Sequence, residues 1–153
     1  MAVQIEIPYE HSFSSAKSPA ETFAYLSDLD KSVAKTFPGL ESFTSCGPQQ
    51  HEWAFEKVGY SGYEFQIRLK TRAEIQAPSH ITFHPVGGKG LASLHGGWQL
   101  SPEGKGTRVG FKATLSLELP VPGFLKAMAR PLAEKEISKL FDRYIQRVEK
   151  TLG

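Results

Sequence analysis

Residues 123–152 constrain the fold more than any other stretch of the chain. Ile137, Leu140, Phe141, Tyr144, Ile145, Val148 and Leu152 recur at three- and four-residue steps, the spacing that places side chains on one face of an α-helix. Leu125, Met128, Leu132 and Ala133 are expected to extend that face toward the start. At the usual helical rise the stretch spans roughly 45 Å, about the width of a small domain. Pro131 has no backbone N–H and disfavours helical geometry at Arg130, so a kink or a fresh start is expected there. Glu134 and Glu136 then fall in the first turn after the break, where the helix dipole favours them. A helix with one long apolar face needs a partner surface, and the rest of the chain offers a sheet.

Residues 3–14 alternate, with Val3, Ile5, Ile7, Tyr9, His11 and Phe13 on one side and Gln4, Glu6, Glu10 and Ser12 on the other, the pattern of a half-buried strand. Ser18-Pro19-Ala20-Glu21 predicts a helix start: serine as N-cap, proline in the first turn, glutamate completing a capping box. Phe23 and Leu26, with Tyr25 beside them, are expected to form its buried face, and a second small helix follows from Asp28 to Pro38-Gly39. Strands are predicted at 40–46, 51–58, 63–75, 81–86, 91–100 and 107–119, joined by glycine- and proline-rich turns. The 63–75 strand is the clearest. Tyr63, Phe65, Ile67, Leu69, Ala73 and Ile75 face inward, and Glu64, Gln66, Arg68, Lys70, Arg72 and Glu74 face water. The last strand carries Val109, Phe111, Ala113, Leu115 and Leu117 on one side.

No linker, repeat or biased segment divides the 153 residues, so one domain over 1–153 is expected. The patterning predicts an α+β fold: a curved antiparallel sheet of about seven strands, two short helices after the first, and one long C-terminal helix packed across it. The lone Cys46 cannot form an internal disulfide and fits a reducing compartment. The sequence has no transmembrane run, and its start lacks the apolar core of a signal peptide; a cytoplasmic location is expected.

This order resembles the START/polyketide cyclase-like superfamily (SRPBCC), the helix-grip fold. The resemblance covers nearly the whole chain. It rests on the Ser-Pro-Ala-Glu helix entry at 18–21, the Trp98-Gln99-Leu100 strand, the Gly106-Thr107-Arg108-Val109 hairpin exit and the closing helix. It implies a hydrophobic space between sheet and long helix that holds a lipid, sterol-like, polyketide-like or other apolar molecule. Tyr63, Phe65, Ile67, Phe83, Phe111, Ala113, Met128 and Phe141 are the expected lining, since aromatic and aliphatic side chains suit such a pocket. The same side chains would equally fill a packed core.

Catalytic signatures are scarce. Of the five histidines, none has metal-ligand spacing, and no metal or cofactor is expected. His80 and His84 share a face opposite Ile81 and Phe83. His95 is the one candidate acid or base. It precedes Gly96-Gly97, a pair that marks a bulge or a close backbone approach and so leaves its orientation open. Facing inward, it would have Tyr9, Tyr63 and Ser93 as candidate hydrogen-bond partners. Cys46 lies at a strand end beside Gly47-Pro48, and Gly87-Gly88-Lys89-Gly90 lacks phosphate-loop spacing. Arg68, Lys70 and Arg72 alternate with apolar residues and mix with acids, which excludes the aromatic-and-basic platform of a nucleic-acid binder.

Residues 124–153 carry seven basic and four acidic side chains. Lys135, Lys139, Arg143 and Arg147, with Lys150 nearby, lie along the helix face away from the apolar stripe. They read as a solvated surface or as a weak attraction to anionic membrane or an acidic partner. Three functions follow: a carrier of a small hydrophobic molecule, a cyclase/dehydratase-like enzyme using a cavity acid or base, or an interaction module whose cavity is vestigial. Monomer and dimer both remain open.

Overall fold

The computed structural model describes residues 3–60, 63–86, 92–119 and 123–153. Seven strands form one antiparallel sheet in the order β1-β9-β8-β7-β6-β3-β2. They are β1 (Val3–Ser15), β2 (Leu40–Gly47), β3 (Gln50–Phe55), β6 (Arg68–Gln76), β7 (His80–Pro85), β8 (Ala92–Glu103) and β9 (Gly106–Leu119). Two three-residue strands, β4 (Val58–Tyr60) and β5 (Tyr63–Phe65), make a separate ribbon. Helix α1 (Pro19–Ser27) and a π-helical turn (Asp30–Ala34) follow β1, and α2 (Lys126–Leu152) closes the chain after a 3-10 turn (Gly123–Leu125). Ser18 caps the helix as its residues predict, the Glu21 amide donating to Ser18 Oγ at 3.2 Å, while the Glu21 carboxylate reaches back to accept from the Ser18 hydroxyl at 3.1 Å.

The core is the layer between one sheet face and α2. Ile137, Phe141, Tyr144, Ile145, Val148 and Leu152 are all buried there, opposite Ile5, Ile7, Trp98, Val109, Phe111 and Leu115. Ser15 Oγ donates to the Leu152 carbonyl at 2.5 Å, tying the end of α2 to the end of β1. That bond satisfies one of the carbonyls a helix end leaves unpaired.

Five expectations need correction. The 63–75 strand breaks after Phe65, and β5 pairs with β4 instead of continuing into β6. At the break the Phe55 amide donates to the Ile67 carbonyl (2.9 Å) and Gln66 Nε2 to the Phe55 carbonyl (2.8 Å). The 51–58 strand likewise ends at Phe55. Helix α2 runs through Pro131 without a fresh start; the proline removes a single backbone donor close to the helix N-terminus. Met128 leaves the core face and is 51% exposed. Thirteen residues before Phe141, at about 100° per residue, it lies on the other side of the helix. His11 shares the inward parity of β1, yet it is exposed at the sheet edge, 3.9 Å from Glu149.

Candidate functional site

The sheet and α2 enclose an apolar void near the middle of the helix. Trp53 and Phe55 of β3, Ile67, Leu69 of β6, Leu94 of β8 and Leu115 of β9 line it from the sheet. Ile137, Leu140 and Phe141 close it from α2, and Phe37 closes it from the segment before β2. Its volume is about 10 Å³. That is at most the room of one water, and such a lining gives a water nothing to bond, so the void is dry.

Aromatic rings surround it. Phe37 stands at their centre, with ring centroids 4.5 Å from Tyr144, 5.6 Å from Phe55, 5.8 Å from Trp53 and 5.9 Å from Phe141. The sequence pattern misses this residue because it lies in an aperiodic stretch, between the π-helical turn and Pro38-Gly39. Of the residues expected to line a pocket, Ile67 and Phe141 meet at the void. Phe83, Phe111 and Ala113 are buried in the same core but stand off the void. Met128 is half-exposed near the start of α2, and the side chains of Tyr63 and Phe65 lie outside the described residues.

The polar groups of the interior are engaged or inert. Trp53 Nε1 donates to Thr71 Oγ1 at 2.8 Å, both residues being buried. Tyr144 is buried, and burial above all pushes its hydroxyl pKa up, with Tyr25 adding to the rise and the nearby Trp98 N–H opposing it. The Trp98 N–H is itself buried and without a hydrogen-bond partner. At the rim, Tyr9 donates to Asp142 Oδ1 at 2.6 Å and stacks on Phe141 at 5.0 Å; burial first, then the carboxylate, raises its pKa.

His95 points away from this interior. Gly96 and Gly97 do mark a close backbone approach, but β8 keeps its parity through them: Leu94 and Trp98 are buried and His95 is exposed. Its ring lies 5.4 Å from that of His84, whose Nε2 is 3.2 Å from Glu74 Oε1. These groups stand on the outer sheet face, where Gly97 and Gly110 help to form an open trough of about 370 Å³ whose lining includes His80, Thr82, His95 and Lys112. Among the described residues no three His, Cys, Asp or Glu side chains are placed to hold a metal ion.

Burial also bears on the titration of His51. It stacks on Phe43 with centroids 4.3 Å apart and planes 7° from parallel, and its Nδ1 is buried without a partner. Desolvation lowers its pKa, Asp30 opposing part of the effect. The unfolded chain therefore takes up a proton before the folded one does. Stability is expected to fall as pH drops below about 6.5, the unperturbed histidine value, and to level off below the depressed folded value. His51→Gln should flatten that decline in urea unfolding between pH 7 and 5; an unchanged slope would assign it to other groups.

Residues 7–149 match the family model described as polyketide cyclase / dehydrase and lipid transport. The chain belongs to this family. Among solved structures, this chain is similar to a conserved protein from Geobacillus kaustophilus, with 15% identity, a TM-score of 0.68 and 95% of each chain covered. It is similar to the ZhuI aromatase/cyclase from Streptomyces sp. R1128, with 14% identity, a TM-score of 0.64 and coverage of 96% of this chain and 93% of that one. It also resembles Ara h 8.0201, with 14% identity, a TM-score of 0.57 and coverage of 96% and 97%. At these identities the likeness establishes the fold. Among curated proteins none matches the sequence.

Proposed function

We propose that this family member binds a small hydrophobic molecule between the sheet and α2 and carries it without chemical conversion. The observation that supports the reading is the lining of the void, which among the described residues holds no ionisable side chain and one polar atom, Trp53 Nε1, already bonded to Thr71. A cyclase or dehydratase would need an acid or base aimed into that space, and the best candidate, His95, is on the outer face. The void's roughly 10 Å³ lies far below the ~300 Å³ of a small ligand pocket. Binding then requires the apolar seam to open, with Leu140, half-buried at its edge, as a side chain able to yield. Cys46, single and exposed, fits a carrier working in a reducing compartment such as the cytoplasm.

The small volume also favours a second reading, an interaction module whose interior no longer takes a ligand. Native mass spectrometry of freshly purified protein separates the two, together with titration of an apolar fluorescent probe. The carrier reading expects a co-purified apolar mass, saturable probe binding, and loss of that binding in Ile67→Trp. A bare protein mass with no saturable binding would leave the interaction module.

A further inference from the structure

Helix α2 carries a second stripe, on the side away from the sheet. Met128, Leu132, Lys135, Lys139, Arg143, Arg147 and Lys150 follow one another at steps of three and four, so they share a face as the core residues share theirs, and Phe124, in the 3-10 turn that leads into the helix, precedes Met128 by four. The stripe is divided by chemistry. Its first part is apolar and open to water: Phe124 is 73% exposed, Met128 51%, and Leu132 is half-buried. Its second part carries five cations, all of them exposed.

Acids scarcely balance it. Glu136 pairs loosely with Lys139 at 3.9 Å. Asp142 and Glu149 are turned toward β1, where they meet Tyr9 and His11. Glu134 stands two turns before Phe141 and so lies on the same side of the helix as Phe141, away from the stripe. Among the described residues no carboxylate lies within ion-pair distance of Lys135, Arg143 or Lys150. Arg147 spends one N–H on the Thr36 carbonyl at 3.2 Å.

We propose that this outward stripe docks the protein on an anionic lipid bilayer, with Phe124 and Met128 in the acyl-headgroup boundary and Lys135, Lys139, Arg143 and Lys150 on the lipid phosphates and carboxylates. The segregation argues for a membrane over an acidic protein. Protein interfaces set apolar anchors at the centre of a polar rim. Here apolar and basic parts lie end to end along one helix, matching a medium that offers hydrocarbon and negative charge within a few ångströms of each other. The proposal stands on the surface of α2 alone and does not depend on what the interior binds.

Vesicle co-sedimentation at low salt tests it, using mixed phosphatidylcholine/phosphatidylserine vesicles against pure phosphatidylcholine. Wild type is expected to bind the anionic vesicles only, and to release as salt rises. Lys135→Gln/Lys139→Gln/Arg143→Gln should weaken binding on the order of 100-fold, each cation near the surface contributing roughly tenfold or less. Phe124→Ser/Met128→Ser should weaken it about tenfold at unchanged charge, through lost apolar burial. All five positions are exposed, so circular dichroism should report an unchanged fold for both variants. Equal binding to both vesicle types, no binding to either, insensitivity to either variant, or binding to polyglutamate but not to vesicles would each overturn the proposal.

Discussion

Phe141→Ala is expected to lower the free energy of unfolding by about 3–5 kcal/mol, the usual cost of emptying a fully buried phenylalanine site. The ring is 3% exposed and is held by Tyr9 at 5.0 Å and by Phe37 and Phe111 at 5.9 Å each. These neighbours are themselves pinned, Tyr9 by its bond to Asp142 and Phe111 within the pairing of β9, so collapse into the gap is limited. The truncated side chain also borders the existing void. The new space should merge with the old and admit a benzene-sized molecule, as dry apolar cavities of ~150 Å³ do. Two readouts then move in opposite directions: the urea midpoint falls, and affinity for an apolar probe rises. Saturating probe should return part of the lost stability, since a ligand that binds only the folded state stabilises it. A loss below about 1 kcal/mol would mean that α2 does not pack on the sheet as described.

The same site shows which parts of the molecule the sequence makes legible. Its helix wall reads directly, because Ile137, Leu140 and Phe141 sit in a run long enough for a 3.6-residue period to be unambiguous. Extending that stripe back to Met128 fails for a geometric reason. Steps of three and four must average to the helical period, and the run from 128 to 141 does not return to the same side. The sheet wall reads by parity, and parity is blind to pairing. Ile67 and Leu69 are buried as alternation requires, but nothing in the alternation records that β5 and β6 belong to different sheets. That break is made by Gln66 and Ile67 bonding to the backbone of Phe55, a residue eleven or twelve positions earlier. Phe37 is invisible for another reason: no periodic neighbour marks it, and its role comes only from tertiary packing. The void's volume is the least legible quantity of all. It is a small remainder left by ten close-packed side chains, and one methylene more or less would change it entirely.

Gly97→Ala is expected to cost about 3 kcal/mol or more, at the upper end of overpacking. A Cβ built on Gly97 would stand 1.9 Å from the Ile81 carbonyl oxygen and 2.9 Å from the Thr82 Cα. Both contacts are backbone atoms of β7, so no rotamer change relieves them. β7 would have to separate from β8 at the Thr82–Gly97 pair, next to the buried Trp98 and Ile81. Gly96 reinforces the constraint from the other side, with φ at 150° and a Cβ position 2.2 Å from the Lys112 carbonyl oxygen of β9. The two glycines let three strands approach closely while β8 keeps its alternation, which is why His95 stays on the outer face despite the irregularity beside it. Gly110 is the control on the same face. A Cβ there would meet only the Gln99 carbonyl oxygen, at 3.7 Å, an ordinary contact. Gly110→Ala is expected to be neutral or to gain up to about 1 kcal/mol, through the reduced freedom of the unfolded chain. Urea unfolding of the two variants beside wild type decides the matter. If Gly97→Ala matched Gly110→Ala, the close approach of β7 to β8 would be wrong, and with it the account of why His95 faces away from the interior.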